Sequence, residues 1–294
     1  MRGYVFILLT ALAFSTMEVV GKTIANQLNP LQLNFLRFLI GGLVLLPFAL
    51  SELRAKKLRL TANDFLFFAV TGFLGIAFSM SLFQMAVLYA KASVVAVIVS
   101  TNPIFTVPFA YFILREKLPP NTLLALLLCL AGLGFFLNPF GMNADLHGIW
   151  LAIASAVSFS LYGVISRKRV EKYGSFALNS LTFLVACAML FVYLTVSGIP
   201  TFTGINAGNV LQVAYMGVVV TGLGYLFYFL AMRETSAVTA STVFFIKPAL
   251  APILSWIALH EVLRPNTIIG VLLVLAGSFV MLRAKTQAAR AVRA

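Results

Sequence analysis

The chain has 294 residues, 61% of them hydrophobic and only 10% charged, against about 45 to 50% and about 25% in an ordinary soluble domain. With a mean hydropathy of +1.02, these proportions exclude a water-soluble globular fold, because eight acids and twenty-one bases cannot coat a chain of this size. The net charge of +13 does not point to nucleic acid either, since the bases are spaced between apolar runs instead of being gathered beside stacking aromatics.

A helix needs about 20 apolar residues to cross a hydrocarbon core of about 30 Å, and ten such runs follow in chain order. The first, residues 4–25, follows Arg2 and contains Ala11-Leu12-Ala13, a small-x-small pattern like that of a cleaved leader. Its apolar character continues to Ala25, so it is expected to remain as a helix carrying Glu18 and Lys22. Next come 30–51 with Arg37, 64–87 with Gln84, and 92–114 with Asn102-Pro103 and the terminal Arg115-Glu116. The fifth and sixth are 120–138 and 147–166, the latter with Tyr162; the seventh is 176–197. The eighth, 209–231, holds Tyr225 and Tyr228, the ninth, 237–258, holds Lys247-Pro248 and is followed by Glu261, and the tenth is 266–283. Cys129 and Cys187 lie within apolar runs without metal-ligating neighbours and read as packing residues.

Lysine and arginine in short loops are retained in the cytoplasm. With the amino terminus inside, sixteen of the twenty-one bases fall on that side, which places both termini in the cytoplasm of a multi-pass plasma-membrane protein.

Displacing the sequence by 145 positions aligns Leu114, Glu116, Leu118, Pro120, Asn121 and Thr122 with Leu259, Glu261, Leu263, Pro265, Asn266 and Thr267. The same shift pairs Pro103 with Pro248, Ala131-Gly132 with Ala276-Gly277, and Gly3, Phe14, Ser15 and Asn34 with Gly148, Phe159, Ser160 and Asn179. Two copies of a five-span unit enter the membrane from opposite sides. That is the inverted repeat of many secondary transporters, with a substrate site near the midplane.

Ala13-Phe14-Ser15 to Lys22, Arg37, the midspan proline, the Glu-x-Leu-x-Pro/Asn turn and the following Ala-Gly, recurring to some degree in both halves, resemble the EamA domains of the drug/metabolite transporter superfamily. The resemblance covers the whole chain. It implies an all-α integral membrane protein of ten transmembrane helices, built as two inverted five-helix repeats around a central cavity. The first repeat is expected over 1–140, the second over 141–284, and a basic tail over 285–294. It further implies export of a small metabolite, with amino acids or related zwitterions foremost, and assigns Arg37 a structural place.

A charge at the centre of a span costs about 2.5–3.5 kcal/mol on insertion scales, so each is a functional candidate. Lys247 lies about 15 Å deep at about 1.5 Å per residue, beside a proline that frees a backbone carbonyl. Its counterpart in the first half is Asn102-Pro103, so helix breaks or gating elements are expected at Pro103 and Pro248. Glu18, about 21 Å in, offers either a proton-coupling carboxylate or a brace for Lys22 or Lys247. Gln84, Tyr162, Tyr225 and Tyr228 are further candidates for the substrate-binding set, as polar-tipped groups in spans. Glu116 and Glu261 are expected to cap the helices that follow them, with gating as the alternative.

No catalytic triad, phosphate loop, dinucleotide motif or metal-ligand set is present in the sequence, and the two histidines, His147 and His260, sit at span ends. An enzyme is therefore not expected, nor a cofactor, a bound metal or nucleic acid. The expected partners are a small-molecule metabolite, membrane lipid and a coupling proton, for a monomer or homodimer. A lipid or lipid-linked-precursor flippase on the same fold is the alternative.

Overall fold

The computed structural model describes residues 2–116, 122–137, 146–261 and 265–291. The expected boundary at 140/141, the turn residues Lys117, Leu118, Pro120, Asn121, Leu263 and Arg264, and Arg293 lie outside the described residues.

Among the described residues all regular secondary structure is helical. We label the helices α1 (Arg2–Ile24), α2 (Pro30–Ala55), α3 (Ala62–Tyr89), α4 (Ala92–Leu114), α5 (Thr122–Leu137), α6 (Leu146–Arg167), α7 (Ser175–Val196) and α8 (Val210–Glu234). Then come α9, in two pieces (Ala237–Ala240 and Val243–Leu259), and α10 (Pro265–Ala291). Among the described residues, seven helical stretches are long and apolar enough to cross a membrane: α1 to α4 and α6 to α8. Shorter apolar stretches occupy Leu123–Gly132, Leu250–Leu259 and Ile268–Gly277 in α5, α9 and α10. The final helix continues to Ala291, beyond the apolar span and into the expected tail, because Lys-Thr-Gln-Ala-Ala-Arg-Ala is rich in good helix formers.

Interruptions occur where side-chain hydroxyls take over backbone carbonyls. Helix α1 breaks at Thr16, whose Oγ1 donates to the Ala13 carbonyl at 2.8 Å. Helix α4 breaks at Thr101, and Pro103 stands in the first turn of the next piece, where its missing N–H leaves nothing unbonded. In α9 the irregular turn falls at Ser241-Thr242, whose hydroxyls donate to the carbonyls of Val238 and Thr239, and the helix then runs on through Pro248. The break expected at Pro248 therefore lies six to seven residues earlier. Hydroxyl back-bonding bends a helix, while backbone groups freed by an intramembrane proline are absorbed by local adjustment. Helices α3 and α8 widen to π-helical geometry over Phe73–Met80 and Met216–Leu223.

Packing follows an exchange pattern. Helix α1 lies on α8 as α6 lies on α3, and further large contacts join α2 to α7 and α8, α4 to α6 and α9, and α5 to α10. Thus each described helix of one half has its principal neighbours in the other.

One end of the bundle is pinned by charge. Asp64 accepts from the Thr61 amide at 2.8 Å, from the Tyr173 hydroxyl at 2.6 Å and from Lys172. Burial and the adjacent carboxylate push the Tyr173 phenol well above its ordinary value. Glu52 caps α7 by accepting from the Phe176 and Ala177 amides at 2.9 and 3.1 Å. Gly174 makes this possible: its φ is +88°, and a Cβ there would collide with the Glu52 carboxylate.

Candidate functional site

The interior is organised around an aromatic cluster and a buried ion pair. Tyr225 of α8 meets Phe14 of α1, Phe38 of α2 and Phe183 of α7 at ring distances of 5.2, 5.5 and 5.3 Å, edge to face. Phe159 of α6 packs on Tyr228 and on Phe244 of α9 at 6.1 and 6.0 Å. Phe14 stands one turn before Glu18, and Phe244 three residues before Lys247, so the apolar cluster borders the pair.

Lys247 Nζ donates to Glu18 Oε1 at 2.5 Å, and both residues are fully buried. Two charges are thereby taken out of contact with water and lipid, which is tolerable only because each is the other's partner. The second carboxylate oxygen, Glu18 Oε2, is buried without a hydrogen-bond partner among the described residues. An unsatisfied buried oxygen is costly, and in a site it marks a place for a donor. Lys22 is held elsewhere, donating to the carbonyls of Val87, Leu88 and Ala90 at 2.8, 3.0 and 2.9 Å, where it caps the end of α3.

Gln84 is buried, and its Nε2 also lacks a partner among the described residues. Its side-chain oxygen packs against α1 near Gly21, one turn beyond Glu18. Tyr162, Tyr225 and Tyr228 are buried in the aromatic interior. Among the described residues no hydrogen bond joins Asn102 to Lys247. Its Nδ2 donates to the Ala156 carbonyl at 3.3 Å and its Oδ1 accepts from Thr106 at 2.8 Å, tying α4 to α6.

Arg37, set aside from the binding set on sequence grounds, lies in the same interior. Its guanidinium donates to Asn34 Oδ1 at 3.3 Å and Met17 Sδ at 3.1 Å and stacks over Phe38 at 4.6 Å. Its in-span position and charge are the only signal the sequence offers. Thr16 and Tyr215, hydrogen-bonded at 2.9 Å, are missed by sequence reasoning altogether, and no pattern connects residues 199 positions apart. They sit beside an apolar groove of about 460 Å³ lined by Leu9, Leu12 and Ala13 of α1, Val219 and Phe227 of α8 and Leu254 of α9.

Among the described residues, Glu116 and Glu261 meet backbone amides of helices in the other half of the chain. Glu116 accepts from the amides of Ala237 and Val238 at 3.2 and 3.4 Å, capping α9. Glu261 accepts from the amides of Ala92 and Ser93 at 2.9 and 3.1 Å and from Ser93 Oγ at 2.6 Å, capping α4. The reason is local. Arg115 and His260 adopt left-handed conformations, φ +56° and +52°, which turn each chain sideways so that the glutamate faces the neighbouring helix start. Replacing Glu116 or Glu261 by alanine is expected to lower stability by about 0.5–2 kcal/mol each, additively, since the caps lie at opposite ends. Thermal unfolding of single and double variants in detergent checks this; an unchanged melting temperature would remove the capping assignment.

Comparison with known proteins supplies the wider context. The EamA-like transporter family matches residues 1–138 and again 146–283. A protein of Clostridium kluyveri named "Uncharacterized transporter" is 44% identical over 287 residues, covering 95% of this chain and 92% of its own. The transporter YoaV of Bacillus subtilis is 24% identical, covering 89% and 90%. A solved crystal structure has the same fold, with a TM-score of 0.73 at 21% identity over 97% of this chain and 98% of the other.

Proposed function

The chain belongs to the EamA-like transporter family, and on that premise we propose that it is a secondary active or facilitative carrier that exports small metabolites, amino acids or related zwitterions, by alternating access. The observation that carries this reading is the buried Glu18–Lys247 pair with its open carboxylate oxygen. A fixed structural brace would satisfy both oxygens; a site that must release and rebind a cationic group leaves one available. The reciprocal caps of Glu116 and Glu261, 145 positions apart, and the exchange pattern of helix contacts support two inverted five-helix repeats, over 1–140 and 141–284. Such repeats rock against one another around a central site. The excess of bases at the amino-terminal side supports both termini in the cytoplasm and residence in the plasma membrane.

In this mechanism Glu18 carries the coupling proton. Substrate engages the site while Glu18 is ionised, protonation of Glu18 then frees Lys247 and releases substrate, and deprotonation resets the pair. Labelled amino acids are offered to inverted and right-side-out vesicles with and without a pH gradient. Wild type is expected to show saturable, gradient-dependent flux, and Glu18→Gln flux without gradient dependence. Gradient-dependent flux persisting in Glu18→Gln would remove the proton-coupling role.

The apolar groove between α1, α8 and α9 favours a second reading, a lipid or lipid-linked-precursor flippase. A groove flanked by Leu12 and Leu223, both exposed, suits an acyl chain. Lipid scrambling by the purified protein, with no amino-acid flux, would select it.

A further inference from the structure

Three fully buried charges occupy the interior among the described residues: Glu18, Lys247 and Arg37. Glu18 neutralises one cation. No carboxylate among the described residues forms an ion pair with Arg37; its acceptors are the neutral Asn34 oxygen and Met17 sulfur, and its other neighbours are the Phe38 and Phe83 rings. Depth agrees. Arg37 is seven residues from the start of α2, about 10 Å from that face, which in a core of about 30 Å is the level of Glu18. Contact with Met17, the residue before Glu18, fixes the same level independently.

A buried guanidinium without a counter-ion is among the most costly arrangements a protein can hold, since neither water nor lipid compensates it. A stabilising brace would have its carboxylate. Phe83, which flanks Arg37, is next to Gln84, whose Nε2 is a buried donor without an acceptor among the described residues. One unsatisfied amide donor and one cation whose acceptors are both neutral thus stand side by side in the interior. We propose that Arg37 is a substrate-binding residue that receives a carboxylate in the planar, two-pronged manner of guanidinium groups, and that the occupant carries one net negative charge. This rests on the carrier reading above and commits the carrier to an anionic substrate class. A neutral zwitterion leaves the residual charge in place, whereas a simple monocarboxylate or an acidic amino acid cancels it. An acidic amino acid would also give its ammonium group to Glu18 Oε2.

The test uses the full chain purified in detergent, with melting temperature read at constant ionic strength in lactate, L-glutamate, L-alanine and choline. Wild type is expected to gain about 5 °C at saturating lactate or glutamate and nothing in alanine or choline. A response to glutamate alone selects the acidic amino acid, and a response to both selects the carboxylate in general. Arg37→Gln is expected to lose the response while melting, without additive, at or above wild type, because an uncompensated buried charge has been removed. A structural residue would behave in the opposite way. An Arg37→Gln chain that fails to fold, or one that keeps the anion response, overturns the proposal. So does wild-type flux of neutral amino acids without any anion response, which would leave the carrier reading standing; absence of both flux and response would remove the two together.

Discussion

Lys247→Ala is expected to bring flux to background and also to lower the stability of the folded chain. The pair at 2.5 Å is wholly buried, and deleting one partner of such a pair leaves the other charge stranded, at a cost of about 3–5 kcal/mol. Loss of flux in the single variant is therefore ambiguous by itself. The informative comparison is with the double variant Glu18→Gln with Lys247→Met, which removes both charges and keeps the volume. It is expected to recover most of the melting temperature lost by Lys247→Ala, since well-packed neutral groups often replace a buried ion pair without penalty. Flux in that variant should stay at background, because neither member of the pair remains to be released and rebound. Wild-type flux in the double variant would show that the pair is only a brace and would remove the central site from the mechanism.

Gly277→Leu is expected to prevent accumulation of folded protein. Helices α5 and α10 approach so closely that a Cβ at Gly277 would stand 2.7 Å from the Ala125 carbonyl oxygen and 2.7 Å from Cys129 Sγ. At Gly132, on the facing helix, it would stand 2.9 Å from the Gly270 carbonyl oxygen. Backbone carbonyls cannot rotate aside, so the helices must separate and give up the van der Waals contact that holds membrane helices together. Overpacking of a rigid contact costs about 1–3 kcal/mol or more. Gly134 supplies the control: nothing lies within 4 Å of a Cβ there, and Gly134→Ala should be neutral or stabilise by up to about 1 kcal/mol through helix propensity. Size-exclusion profiles of the variants decide the matter; a monodisperse Gly277→Leu at wild-type yield would show that the two helices can separate at little cost.

Much of this architecture is legible in the sequence. Glu18 and Lys247 stand out because a charge in an apolar run is expensive wherever the run is placed, a property of composition alone. Their pairing is one of two readings, since the sequence gives depth along each helix but not which helices are adjacent. Glu116 and Glu261 are recognisable as acids at helix ends, yet the amides they meet among the described residues belong to the other half of the chain. The left-handed turns at Arg115 and His260 carry no sequence signature, being occupied by residues that seldom adopt them. Pro248 misleads in the opposite direction, because a proline advertises a break and the hydroxyls of Ser241 and Thr242 make one earlier.

The sequence by itself determined the solvent, the approximate helix boundaries, the 145-residue repeat and the cost of each intramembrane charge, all of which depend on what is near in the chain. Only the tertiary structure decided that Lys247 meets Glu18 across 229 positions, that Lys22 is occupied with carbonyls of α3, and that no carboxylate among the described residues pairs with Arg37. Whether a buried charge is compensated depends on which helices pack together. In lipid that choice is made by small residues and shape along whole helix faces, and no local pattern records it.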